Sequence, residues 1–175
     1  MKKIILLLAS VSSLIFISCE GPEGPQGPQG NDGYSAESEV FELRNVNFTR
    51  VSDNEYNIYY SFNQPILLSD NIIIYRLSDV IDSQTPVWQP IPRTLYLTQG
   101  ELDYDYDFSR LDFYIYAKGT YNLSARPEYL YNQTFRIVII PGYLSNKNSI
   151  DPHDMDYQTL IKTYKIDDQN VKVLP

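Results

Sequence analysis

From Val40 onward, apolar and polar residues alternate along the chain with a period of two. Such alternation is typical of half-buried β-strands, whose successive side chains point to opposite faces of a sheet. One predicted strand carries its large apolar residues on a single face, at Tyr56, Ile58, Tyr60 and Phe62. Residues 72–75 and 137–140 are apolar throughout, which predicts central strands that are covered on both faces. We therefore expect a mainly β fold.

Turn residues divide the alternating region into about seven predicted strands. Gln99-Gly100 predicts a hairpin between residues 94–98 and 102–108, and Ser109-Arg110 predicts the turn that follows. Because proline has no N–H to donate to a neighbouring strand, we expect the prolines to lie between strands, at Pro65, the Pro86 to Pro92 cluster, Pro127 and Pro141. These features predict a single antiparallel β-sandwich domain over residues 34–175.

One short helix is predicted near the C-terminus. Apolar residues recur there at helical spacing, at Tyr157, Leu160, Ile161 and Tyr164. Asp156 is placed to cap the helix N-terminus. We expect this helix to pack on a sheet or to close one end of the sandwich, and residues 171–174 to add a short edge strand or to fray.

The N-terminus has the pattern of an export signal. Lys2 and Lys3 precede a mainly apolar run from Ile4 to Ile17, and the small residue Ser18 follows. The run is too short to span a bilayer, so residues 1–18 are predicted to be a signal peptide that is removed. Cys19 is the only cysteine, which excludes an intrachain disulfide and a thiolate metal site.

A collagen-like tract follows, with glycine at every third position from Gly21 to Gly33. Only glycine fits the axis of a collagen triple helix, and proline favours its extended backbone. The tract has only four complete triplets, so ordering three chains would cost more entropy than so short a helix recovers. We expect residues 19–33 to form an extended linker of roughly 35–40 Å. A trimerising stalk is the alternative.

These N-terminal features carry a family resemblance. Phe16-Ile17-Ser18-Cys19 resembles the lipobox of bacterial lipoproteins. Together with the Gly-Pro-Gln tract and the tyrosine-rich β domain, it makes the chain similar to small lipoproteins of the Bacteroidota type. The resemblance implies a lipidated Cys19 and attachment to the outer membrane, on its periplasmic face or at the cell surface. It implies no activity.

The chain is acidic, with 14 lysine and arginine residues against 22 aspartate and glutamate residues and a net charge of -8. Such a surface repels the phosphates of nucleic acids, which we exclude as partners. It also repels anionic lipid head groups, so we expect membrane attachment to come from the lipid on Cys19 rather than from a basic patch.

Aromatic residues are the best candidates for ligand binding. Trp88 lies between Pro86 and Pro90 in a predicted loop. With four tyrosines predicted to face outward, it would form an aromatic platform for a sugar or a peptide. These tyrosines are Tyr59, Tyr96, Tyr114 and Tyr116. In the alternative interpretation, the rings cover the second sheet or the underside of the loop.

Two polar clusters suggest metal binding at first sight. Asp103, Asp105 and Asp107 resemble the start of a calcium loop. Alternate residues of a strand lie roughly 6.6 Å apart, however, so we interpret the three as a solvated strand face. His153, the only histidine, lies among aspartates that we interpret as a helix-entry turn rather than a zinc site. We expect no metal and no cofactor.

No motif of a known catalytic site is present, such as G-x-S-x-G, H-E-x-x-H or a phosphate-binding glycine loop. We therefore expect a non-enzymatic, lipid-anchored module that binds another envelope protein or a glycan, or has a structural role. One alternative is a carbohydrate-binding module of a surface glycan-capture system. Another is a glycoside hydrolase-like enzyme, which needs two carboxylates that face each other across a cleft.

Overall fold

The computed structural model describes residues 38–82, 85–145, 150–169 and 171–174. The predictions for the signal peptide, for Cys19 and for the collagen-like tract concern residues outside these ranges. Among the described residues, none of the helices has the length and apolar character needed to cross a lipid bilayer.

The described residues form ten strands in two sheets. The strands are β1 (Glu39–Val46), β2 (Thr49–Arg50), β3 (Glu55–Ser61), β4 (Asn71–Val80), β5 (Pro86–Ile91), β6 (Arg93–Leu97), β7 (Gly100–Phe108), β8 (Asp112–Gly119), β9 (Gln133–Ile140) and β10 (Lys172–Val173). Sheet A has the order β10-β1-β9-β4-β5, and sheet B has the order β2-β3-β8-β7-β6. Only the β1–β10 pair is parallel among the described strands.

The mainly β, sandwich-like prediction is confirmed, but the expected number of seven strands is wrong. β2 and β10 have two residues each, too few to show an alternating pattern. β5 contains Pro86 and Pro90, although we expected the prolines between strands. β5 lies at the edge of sheet A, where a proline nitrogen on the outer side removes no bond between strands.

One hydrophobic core lies between the two sheets. Sheet B contributes Tyr56, Ile58 and Phe113, and sheet A contributes Ile74 and Ile137. Each such side chain stabilises the fold by about 1.5–3 kcal/mol when it is fully buried. The predicted alternation is therefore correct for the strand interiors. It fails beside the β7–β8 turn, where Phe108 and Leu111 are 41% and 58% exposed.

The described helices are α1 (Gly142–Ser145) and α2 (Tyr157–Tyr164), and short 3-10 turns span Leu123–Ala125, Pro127–Tyr129 and Pro152–Asp154.

A second cluster of buried residues lies on the other side of sheet A, where α2 packs. Leu160 of α2 packs with Ile73 of β4 and Val138 of β9. The helix therefore covers the outer face of sheet A. This confirms that residues 72–75 and 137–140 are covered on both faces.

The predicted ends of several elements are confirmed. The Asp156 side chain accepts a hydrogen bond of 2.7 Å from the Thr159 N–H and so caps α2. β6 and β7 form the predicted hairpin, closed by Leu97 opposite Gly100. Gly100 has a φ of +140°, and a Cβ there would lie 2.4 Å from the Thr120 hydroxyl oxygen. Residues 172–173 form the edge strand β10.

Candidate functional site

The outer face of sheet B, which we call the open face, carries side chains that are all exposed or half-buried. Strand alternation and register define its members. They are Thr94 and Tyr96 of β6, Glu101, Asp103, Asp105 and Asp107 of β7, Asp112, Tyr114, Tyr116 and Lys118 of β8, Glu55, Asn57, Tyr59 and Ser61 of β3, and Thr49 of β2. This face lies on the opposite side of sheet B from the core.

Three tyrosines form a continuous row across the open face. Tyr59 and Tyr114 are direct neighbours on β3 and β8, and their ring centroids are 4.8 Å apart. Tyr114 and Tyr116 follow each other along one face of β8, with centroids 5.8 Å apart and ring planes only 10° from parallel. We call Tyr59, Tyr114 and Tyr116 the tyrosine row. Such contacts between neighbouring rings hold the row in place.

Carboxylates flank the row and accept hydrogen bonds from it. The Tyr116 hydroxyl donates to Asp107 over 2.8 Å, and the Tyr59 hydroxyl donates to Asp112 over 3.4 Å. Burial, followed by the hydrogen bond to Asp107, raises the pKa of Tyr116 to about 12. The Tyr116 hydroxyl therefore keeps its proton, and with it the ability to donate to Asp107, well above physiological pH.

The open face is strongly acidic. Lys118 supplies the only ammonium group among the face residues, against six carboxylates: Glu55, Glu101, Asp103, Asp105, Asp107 and Asp112. The Lys118 nitrogen lies 4.8 Å from the centroid of the Tyr116 ring and 3.3 Å from a Glu55 carboxylate oxygen. The arrangement presents flat aromatic surface within a negative rim.

The structure does not bring all five predicted aromatic residues together. Trp88 lies on β5 of sheet A, in a strand rather than the expected loop. Its ring packs 5.7 Å from the Tyr157 ring and 4.4 Å from the Arg136 guanidinium. Tyr96 is 81% exposed on β6, two strands away from β8. Of the predicted set, only Tyr59, Tyr114 and Tyr116 contact one another.

The predicted aspartate ladder lies along β7, with a different partner at each position. Asp103 accepts from the Thr94 hydroxyl, Asp105 from the Tyr106 N–H, and Asp107 from Tyr116. In the described ranges, no cluster of three or more histidine, cysteine or acidic residues is placed to hold a metal ion.

His153 lies in an exposed 3-10 turn before α2. Its backbone N–H donates to the Asp151 side chain over 2.9 Å, and its ring Nδ1 is 3.4 Å from the Tyr106 hydroxyl. The aspartate thus organises the turn, as in the helix-entry interpretation.

A charged network on the outer face of sheet A was not foreseen from the sequence. Arg136 of β9 bonds to Glu42 over 2.9 Å and lies 3.5 Å from Asp168. It also bonds to the Tyr157 hydroxyl. Glu42 is only 5% exposed. The sequence contained a sign of this network: Arg136 adjoins the apolar run of a predicted central strand, on a face that was expected to be covered. A charged residue at such a position needs a partner of opposite charge, which here is Glu42. This network holds the C-terminal segment on sheet A.

A cavity of about 490 Å³ opens where β1 and β10 meet the two helices. It is lined by Ser38, Glu39, Val40, Phe41, Tyr143, Leu144, Tyr164, Lys165, Asp167 and Lys172. Burial raises the pKa of Glu39, and the nearby Lys172 ammonium opposes that rise. The Ser38 and Tyr164 hydroxyls are buried and have no hydrogen-bond partner within the described ranges.

Comparison of the chain with protein-family models, with curated proteins and with solved structures finds no match.

Proposed function

We propose that this chain is a lipid-anchored, non-enzymatic binding module of the bacterial outer membrane whose open face contacts another envelope protein. One observation carries the proposal. The tyrosine row lies on the one outer sheet face whose side chains all remain accessible, whereas α2 covers the outer face of sheet A. Tyrosine is enriched in protein interfaces because a single ring combines a large apolar area with a polar hydroxyl.

The N-terminal sequence supports the anchored part of the proposal. Lipid on Cys19 would hold the chain at the membrane, since two or three acyl chains bind far more durably than one. The Gly-Pro-Gln linker would then separate the folded domain from the lipid surface. The net charge of -8 favours this separation, because anionic head groups repel an acidic domain.

The anchor is tested by Cys19→Ala. We expect the variant to leave the membrane fraction and to lose incorporation of labelled fatty acid. Retention of the variant in membranes would contradict the anchor. It would not bear on the contact made by the open face.

The contact itself is tested by photo-crosslinking in intact cells. A photoreactive amino acid replaces Asn57, which lies opposite Tyr116 in the sheet, so the tyrosine row stays intact. The control places the same group at Gln158, which is exposed on α2. We expect a discrete protein adduct from position 57 that is absent from position 158. Equal adducts from both positions, or none from position 57, would contradict the proposal.

A second candidate function is the binding of a neutral saccharide in the cavity beside β1. The unpaired hydroxyls of Ser38 and Tyr164 can each donate and accept a hydrogen bond, as sugar hydroxyls do. Two lysines and two carboxylates line the cavity, so its charges balance. Its volume of about 490 Å³ is within the usual range for ligand sites.

This candidate is tested by titrating the isotope-labelled full chain, in neutral detergent, with galactose, mannose and N-acetylglucosamine. We expect amide shifts at cavity residues that weaken in Tyr164→Phe and persist in the control Tyr131→Phe, because Tyr131 is exposed and lies outside the cavity. Absence of shifts at the cavity residues for every sugar would exclude this function.

A further inference from the structure

The open face already binds one cation, which belongs to the chain itself. The Lys118 ammonium lies over the Tyr116 ring, 4.8 Å from its centroid, and 3.3 Å from a Glu55 carboxylate oxygen. The ring quadrupole and the carboxylate attract the same positive charge. The face thus displays one complete example of how it holds a cation.

A similar pairing of tyrosine rings with carboxylates recurs two residues along the strands, but no cation of the described residues lies over those rings. Tyr114 and Tyr59 present neighbouring rings, and Asp107 lies opposite Tyr114 in the register of β7 and β8. Asp112 lies beside Tyr59 and accepts a hydrogen bond of 3.4 Å from the Tyr59 hydroxyl. In the part of the chain that the structure describes, no lysine or arginine lies over the ring of Tyr59 or Tyr114.

We propose that the partner of the open face is a cationic protein segment, and that an arginine side chain of this segment stacks on the Tyr59–Tyr114 pair between Asp107 and Asp112. The inference rests on the proposed function, since it names the partner of the same face. Charge complementarity carries it: Asp105 and Asp107 lie opposite Tyr116 and Tyr114 in the register of β7 and β8, and Asp112 accepts a hydrogen bond from Tyr59. Lys118 is the one basic residue among the members of the open face.

Arginine fits this position better than lysine does. Its guanidinium is planar, so it can lie flat on a tyrosine ring while its edge N–H groups donate to carboxylates on either side. An anionic lipid surface or a nucleic acid would bring further negative charge to the face and be repelled. The acidic field also steers a cationic segment toward the face, which raises the association rate at low salt.

The test uses the full-length chain in neutral detergent and a synthetic peptide of alternating arginine and glycine. Fluorescence anisotropy measures the dissociation constant. We expect the double variant Asp107→Asn, Asp112→Asn to bind the peptide about fivefold to tenfold more weakly. The matched control, Asp79→Asn with Asp154→Asn, removes the same charge at two exposed positions that lie outside the open face. It should change binding by about twofold or less.

A second peptide separates charge from shape. Citrulline has nearly the shape of arginine but is neutral, so a citrulline-glycine peptide should bind at least about tenfold more weakly. Equal binding of the two peptides would overturn the inference. Equal weakening by the open-face pair and the control pair would also overturn it, because the attraction would then come from the overall charge alone.

The crosslinking experiment above separates this inference from the proposed function. The adduct formed from position 57 is digested, and the attached partner segment is identified by mass spectrometry. An arginine-rich segment supports the inference. A segment without net positive charge overturns it and leaves the protein contact standing, whereas absence of any adduct contradicts the contact itself.

Discussion

The outer faces of the two sheets both carry aromatic and charged residues, but the face of sheet A also carries buried apolar residues such as Ile73 and Val138, and the two faces differ in what lies over them. On sheet A, Arg136, Glu42 and Trp88 form a network with Tyr157 and Asp168 of the C-terminal segment. On sheet B, tyrosines stack on one another, and their hydroxyls reach carboxylates of the same face. On sheet A, these polar and aromatic contacts, together with apolar packing, therefore serve docking of the chain's own helix. On the open face, no helix or strand of the described ranges covers the aromatic and charged side chains, which stay exposed or half-buried.

The largest expected effect is on the covered face. Leu160 is 0% exposed between α2 and sheet A. Leu160→Ala leaves a cavity there and should lower the free energy of unfolding by about 3 kcal/mol, measured by urea denaturation. The control Gln158→Ala, on the exposed side of the same helix, should change it by about 0.5 kcal/mol or less. A loss below about 1 kcal/mol for Leu160→Ala would mean that the helix docks loosely.

The buried ion pair should come next. Arg136→Met removes one of the cations paired with Glu42 and leaves this carboxylate with Arg44 as its remaining cationic partner. We expect a loss of about 2–3 kcal/mol, because a buried charge loses much of its compensation. Adding Glu42→Gln should recover part of the loss, which a double-mutant cycle of unfolding free energies measures. Strict additivity of the two substitutions would contradict the coupling.

The open face should tolerate a comparable deletion much better. Tyr59 is 52% exposed and contacts Tyr114 at its ring. Tyr59→Ser should lower the free energy of unfolding by about 0.5–1 kcal/mol, the size of one surface ring contact. The same urea measurement applies. A loss as large as that of Leu160→Ala would remove the distinction between the two faces.

The smallest effect concerns the titration of the tyrosine row. Asp107→Asn should lower the pKa of Tyr116 from about 12 part of the way toward 10, since burial remains the larger cause. In the native chain the raised pKa stabilises the fold below about pH 10, and this contribution is lost as the pH rises through about 12. The pH dependence of phenolate absorbance, with Tyr116→Phe as the reference, measures the shift. An unchanged pKa would show that Asp107 has no influence on Tyr116.

Local sequence patterns predicted much of the fold, and they failed where the outcome depends on how strands are ordered in a sheet. The alternation of Tyr56 and Ile58, the turn at Gly100 and the cap at Asp156 are visible because each depends on neighbouring residues. β5 was missed because its prolines forbid a central strand and permit an edge one. No local rule states which strand will lie at an edge.

The candidate site was predictable only in part, for the same reason. Alternation places Tyr114 and Tyr116 outward on one strand, and the register of β3 with β8 then brings Tyr59 beside them. Trp88 is of a residue type that is common in binding sites, but it packs beside Tyr157 of α2, nearly seventy positions later in the chain. That neighbour is set by how α2 docks on sheet A.

By itself, the sequence determined the β class, the positions of the central strands, the C-terminal helix and its cap, and the acidic charge. These follow from interactions between residues close in the chain and from composition. Only the tertiary structure decided which segment covers the outer face of sheet A, that Arg136 pairs with Glu42, and that the tyrosine row stays accessible. The physical reason is that side-chain periodicity assigns a residue to a face of a sheet, whereas burial of that face depends on a segment distant in sequence.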